Sequence, residues 1–221
     1  VALTKFNFNS FDLTTAASTG LAFNSSANGF QTSTSGSMTL IKTLTASSSA
    51  TLSFVDGSSD VVLDNTYPVY LFKFINLHPA SSNSNMSFNG STDSGSNYNV
   101  TKTTSTIQCY HTENDSAASV FYNTNFDIAQ GTGFQALNYG DGDTSNDASF
   151  CGSLFLFNPS STTFIKHFLA DTHQMASDPS AERNLTAGYF NTTSAIDAIQ
   201  FKSDSGNIDA GTIKLYGIKD S

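Results

Sequence analysis

Apolar residues in this chain come in short runs that alternate with polar residues or fill both parities, and each run ends at Gly, Pro, Asn, Asp or Ser. That pattern predicts strands joined by hairpins and loops. Leu52 and Phe54 alternate with Thr51 and Ser53 before an Asp56-Gly57 turn, the pattern of a half-buried strand. The run Val69-Tyr70-Leu71-Phe72-Lys73-Phe74-Ile75 is apolar at both parities and predicts a central strand covered on both faces. Ser153 to Phe157, the turn Asn158-Pro159-Ser160-Ser161, and Phe164 to Leu169 read as a hairpin. Further strands are expected at Met38 to Leu44, Thr104 to Tyr110, Ser119 to Tyr122, Gly188 to Phe190, Ala198 to Phe201 and Thr212 to Ile218. Ser81 to Asn99 and Tyr139 to Asp147 read as long loops, and Ser177 to Glu182, with Pro179 inside it, as one helical turn.

A helical alternative fails on composition. Glu113 and Glu182 are the only glutamates in 221 residues, so the residues that usually fill the wet face of a helix are scarce. Nineteen Phe and eight Tyr supply material for a core, which excludes disorder for most of the chain. The expected fold is all-β, an antiparallel β-sandwich over residues 37–221, preceded by an arm or first strand over 1–36. Its expected core includes Leu52, Phe54, Leu71, Ile75, Leu154, Leu156, Phe168, Ile199, Phe201, Ile213 and Leu215.

Charge narrows the partners. A net charge of −9 with Arg183 as the only arginine disfavours nucleic acid and anionic membranes. Val69 to Leu77 is interrupted by Lys73 and is half the length a bilayer requires. The N-terminus lacks the charged start and apolar stretch of a secretory signal, as does a chain from which one has been removed. Seven Asn-x-Ser/Thr acceptors, at Asn24, Asn85, Asn89, Asn99, Asn114, Asn184 and Asn191, are close to the roughly five or six that this composition produces by chance. Cys109 and Cys151 allow either a disulfide or two free thiols.

Several clusters have the residue types of a site. Asp141, Asp143 and Asp147 place hard oxygen donors on one loop, the pattern of a calcium turn, but the closing glutamate and mid-loop glycine of an EF-hand are missing. A solvated turn is the expectation, with no metal and no cofactor. Cys109, His111, Cys151, His167 and His173 are zinc-ligand types without a Cys-x-x-Cys or His-x-x-x-His anchor. The two glutamates allow a carboxylate pair for glycoside hydrolysis, and no Gly-x-Ser-x-Gly marks a serine nucleophile. Tyr98, Tyr110, Tyr122 and Tyr139 near polar loops are candidates for stacking on sugars. A carbohydrate-binding receptor module for host surface glycans and a small secreted hydrolase are therefore the alternatives to a non-enzymatic structural protein.

The C-terminal segment reads Ile196-Asp197-Ala198-Ile199-Gln200-Phe201, then Ser205-Gly206-Asn207-Ile208-Asp209-Ala210-Gly211, then Leu215-Tyr216-Gly217. It resembles the ending of virion structural proteins of tailed phages, marine ones especially. Leu40 to Ser47, Tyr67 to Phe72 and Phe155 to Ser161 are similar to the same family and follow in its order. The residues themselves predict a closing hairpin, with Ile199 and Phe201 on one side, a turn at Gly206-Asn207, and Ile213 and Leu215 re-entering the same core. The resemblance implies a jelly-roll-like sandwich, no catalysis, and a place on the virion exterior as capsid decoration, fibre or appendage. Many of the resembling proteins carry this domain at the end of a longer fibre chain, whereas here Val1 to Gly36 precede it. Analogy and the low charge together predict a homo-oligomer, a trimer, contacting other virion proteins, with Phe6, Phe8, Phe11 and Phe23 as contact residues.

Overall fold

A computed structural model of the protein describes residues 20–23, 26, 30–33, 37–139 and 142–219. The chain divides into two units, Val1–Ser37 and Met38–Ser221. In the first, β1 (Gly20–Phe23) and β2 (Phe30–Ser33) pair antiparallel, Phe23 opposite Phe30. Phe6, Phe8 and Phe11 lie outside the described residues.

The second unit is an antiparallel sandwich. Its larger sheet has eight strands in the order β3 (Met38–Thr45), β14 (Ile208–Ile218), β5 (Val69–Pro79), β10 (Phe150–Phe157), β11 (Lys166–Met175), β12 (Ser180–Phe190), β7 (Lys102–Thr112) and β8 (Ala118–Tyr122). The smaller has four, β4 (Leu52–Val55), β13 (Ala198–Ser203), β6 (Met86–Ser91) and β9 (Gln135–Ala136). The fold is jelly-roll-like in that strands from β3 to β7 alternate between the sheets: β3, β5 and β7 lie in the larger, β4 and β6 in the smaller. Between them an aromatic cluster fills the core. Phe201 of β13 meets Phe72 at 5.2 Å, Phe74 at 5.3 Å, Phe54 at 6.2 Å and Phe88 at 6.3 Å, mostly edge to face. Phe88 continues the cluster to Phe168 and Phe190.

The hairpin expected around Asn158-Pro159 is present, with β10 and β11 in register from Phe150↔Gln174 to Leu156↔Phe168. Other expectations change. Ser81 to Asn99 is not a continuous loop, because β6 lies within it and all six of its residues are buried. Gly90 lets β6 close on the larger sheet: a Cβ there would stand 2.9 Å from the Phe190 ring. The Asn89 amide is satisfied by the carbonyls of Tyr98 and Thr132. Ser177 to Glu182 is not helical either. Residues 177–179 form the tip between β11 and β12, closed by the Ala176 N–H on the Ser180 carbonyl.

The C-terminal motif is not a hairpin within one sheet. β13 pairs with β4 and β6, while β14 pairs with β3 and β5, so the turn at Gly206 (φ +71°) carries the chain from one sheet to the other. Ile199, Phe201, Ile213 and Leu215 still meet in the shared core. Within β14 the register shifts beside Gly211, where φ is +103° and a side chain would collide with the Asn76 carbonyl at 2.3 Å. Strand β5 is covered on one face rather than two. Tyr70, Phe72 and Phe74 point inward and are buried, whereas Lys73 and Ile75 on the other face are exposed, which removes Ile75 from the core. Leu71 stays buried by lying between Phe155 and Tyr216 of the neighbouring strands.

Candidate functional site

Alternation along β11, β12 and β7 is regular, but in the middle of β12 and β7 its sense is inverted, and in β11 it is mixed. In β11, Phe168, Ala170, Thr172 and Gln174 are buried while His167, Leu169, Asp171 and His173 are exposed. In β12, Glu182, Asn184 and Thr186 are buried and Leu185 is exposed. In β7, Thr104, Thr106 and Gln108 are buried and Ile107 is exposed. The outward apolar residues stand side by side: Leu169 pairs with Phe155 and Ala187, and Leu185 with Ile107. Leu169, Ile107 and Leu185 are 49%, 45% and 39% exposed, so an apolar tract faces outward across the middle of the larger sheet. Two shallow depressions sit in it. One of about 430 Å³ is floored by Phe157, His167 and Tyr189, and one of about 340 Å³ lies between Phe155, Leu185 and Ile107. A bidentate pair borders the tract, Arg183 Nε and Nη2 donating to Asp171 at 2.8 and 2.6 Å. Those bonds hold the Asp171 carboxyl below the usual carboxylate range.

Most of the inward polar residues are satisfied by the segment from Asn123 to Asn138, which runs beneath this part of the sheet, while the Asn184 Nδ2 is buried without a partner. Thr104 donates to Gln135 Oε1 at 2.6 Å and accepts from the Ile128 N–H at 2.8 Å. The Asn123 amide donates to Gln108 Oε1, and Thr172 donates to the Leu137 carbonyl. Gln174 Oε1 accepts from the Asn138 amide while its own amide reaches Glu182 Oε2 and the Tyr139 carbonyl. Two lysines are fully buried at the end of this layer, Lys102 against the Val100 and Gly133 carbonyls and Lys166 against those of Thr192 and Ser194. Desolvation brings Lys102 down to about 8.

The residues singled out in the sequence do not gather into one site. Cys151 of β10 lies beside His173 of β11, but Arg183 of β12 separates His173 from Cys109 of β7. The two cysteines are thus three strands apart, about 14 Å, which excludes a disulfide between them; both are free thiols. His111 binds Asp115, and His167 stacks edge-on with Tyr189. Asp143 accepts from the Thr144 N–H and the Ser145 and Ser82 hydroxyls, Asp147 is exposed, and Asp141 lies outside the described residues. Among the described residues no group of three His, Cys, Asp or Glu side chains is placed to hold a metal ion. Glu182 is buried inside the sheet and Glu113 is exposed at the β7–β8 turn. The four tyrosines are dispersed: Tyr139 packs on Phe126, Tyr122 binds Asp127, and Tyr110 and Tyr122 occupy opposite parities of paired strands. Phe23 ends β1 and is 68% exposed.

The chain matches no protein-family model, no curated protein and no solved structure at a significant level. The resemblance to virion proteins rests on sequence segments alone, the C-terminal one foremost, with Leu40 to Ser47, Tyr67 to Phe72 and Phe155 to Ser161 beside it. Among the described residues no helix is long and apolar enough to cross a membrane. The outward tract escaped the sequence reading because Leu169, Leu185 and Ile107 have the spacing of core residues. The inward Thr, Gln and Asn of the same strands were the available signal, since they keep the same period with nothing charged among them but Glu182 and the terminal lysines.

Proposed function

We propose that this chain is a non-enzymatic structural protein of a phage particle's exterior, a capsid decoration or a fibre component, assembled with copies of itself and with other virion proteins. The observation that carries the reading is the inverted alternation in the middle of β12 and β7, with Leu169 of β11 exposed beside it. A strand that places Thr, Gln and Asn inside and Leu and Ile outside gives up core burial in favour of an apolar outer surface, and such a surface on a folded domain marks contact with other protein. Uncharged Ser, Thr and Asn over the rest of the surface keep the particle soluble at high ionic strength, where charges are screened.

A reconstruction of the phage particle tests this directly. The expected map shows the sandwich outside the shell or along an appendage, its larger sheet covered by a neighbour; a particle without the chain overturns the reading. A glycan array on the purified protein separates the alternative, since saturable binding would make the chain a receptor module instead.

A further inference from the structure

We propose that strand β8 pairs with β8 of a second copy across a two-fold axis, joining two larger sheets edge to edge. The pairing follows from which backbone groups of β8 are already used. Its register with β7 runs from Ile107↔Tyr122 to His111↔Ala118. At one end the Asn123 N–H donates to the Thr106 carbonyl, and at the other the Thr112 N–H donates to the Ala117 carbonyl. In an antiparallel ladder bonded and non-bonded pairs alternate, so Ser119 and Phe121 also face β7. Ala118, Val120 and Tyr122 therefore turn their N–H and C=O groups away from the sheet, and among the described residues nothing bonds them.

Three outward residues at alternate positions make a self-complementary edge. Placed antiparallel on its own copy about Val120, the strand pairs Val120 with Val120, Ala118 with Tyr122 and Tyr122 with Ala118. Each facing pair exchanges two bonds, so every outward donor and acceptor of both strands is satisfied. The strand also lacks the devices that natural edges use against pairing. Ala118 to Tyr122 contains no Pro, no Lys and no charge, and all five residues are exposed, Val120 at 73%. The opposite edge, β3, carries Lys42 and a register shift beside it. The strand itself carries no charge, and of the carboxylates near it Asp115 pairs with His111 and Asp127 accepts from the Tyr122 hydroxyl. Tyr122 and Ile107 lie side by side in register, so the junction extends the outward apolar tract from one copy to the next. The pairing closes on two copies, in place of the trimer that analogy suggests, and it does not depend on a particle.

Sedimentation of the full chain at micromolar concentration, with residue-resolved amide exchange, tests it. Val120→Pro removes an outward N–H and no bond to β7, and Val120→Lys sets two ammonium groups together at the axis. The expected result is a dimer for the unmodified protein and monomers for both variants, with thermal midpoints within a few degrees of each other. Amides of Val120 and Tyr122 should exchange slowly in the dimer and at least tenfold faster in Val120→Lys, while those of Ser119 and Phe121 stay protected in both. A monomer, a trimer, or a dimer that persists in both variants overturns the pairing. If Val120→Pro proves unfolded, Val120→Lys alone decides.

Discussion

Replacing Thr104 by Val makes strand β7 more apolar at nearly constant volume, and the fold should nevertheless lose stability. The Thr104 hydroxyl donates to Gln135 Oε1 and accepts from the Ile128 N–H, and both Thr104 and Gln135 are buried. Valine can make neither bond. Each orphaned group costs about 1–3 kcal/mol, and the added methyl returns part of this, so a net loss of about 2–4 kcal/mol is expected. For a domain of this size each kcal/mol shifts the midpoint by roughly 2–4 °C, which puts the variant roughly 5–15 °C below the unmodified protein. The matched change on the other face is Leu185→Thr, where the leucine is 39% exposed. It removes only part of one side chain's burial, about 1 kcal/mol, and threonine suits a strand. Thermal unfolding followed by circular dichroism and repeated in denaturant gives both values. A Thr104→Val midpoint equal to or above that of the unmodified protein, or a larger drop for Leu185→Thr than for Thr104→Val, would refute the inverted assignment of the two faces.

Phe201→Ala should cost about 3–5 kcal/mol, because its ring touches four others in the core, and equilibrium unfolding in urea will read it. For Lys102 the folded value of about 8 lies below the usual lysine range, so the unfolded chain binds the proton more readily and stability should rise as pH climbs from about 8 towards 10.5. The stability difference between the unmodified protein and Lys102→Met, which lacks this titration, should move in favour of the unmodified protein over that window; a flat difference would show the ammonium to be solvated. A strong calcium chelator should leave the thermal midpoint unchanged, since Asp143 is already bonded within its own loop; a drop restored by calcium would make the loop a metal site. Native protein should present two titratable thiols, and fewer than two would contradict the three-strand separation of Cys109 and Cys151.

The outward tract and the β8 edge make different demands on a partner. The tract needs apolar side chains laid on a sheet face, whereas the edge needs a strand with its own unpaired backbone. Leu185→Asp tests the first and Val120→Lys the second. The two sites share only the column of Ile107 and Tyr122, so their effects on assembly should be close to additive.

Class and local pairing were determined by the sequence alone. Short apolar runs cut by turn residues, with almost no glutamate, leave strands as the only regular structure, and Asn158-Pro159 between two such runs sets the β10–β11 hairpin. What the period of two does not carry is which of its two faces meets another sheet. In β13 and β14 the apolar face met the core, as expected, although the two strands lie in different sheets because the sandwich, and not the turn at Gly206, chooses their neighbours. In β7, β11 and β12 the smaller sheet meets Phe168 and Phe190 through Phe88, whereas Ile107, Leu169 and Leu185 face away from it. The Asn123 to Asn138 segment covers the polar face instead, and its side chains bond the Thr and Gln there. Hydrogen bonds between residues tens of positions apart decided that orientation, and no window of sequence short enough to show a strand contains both partners.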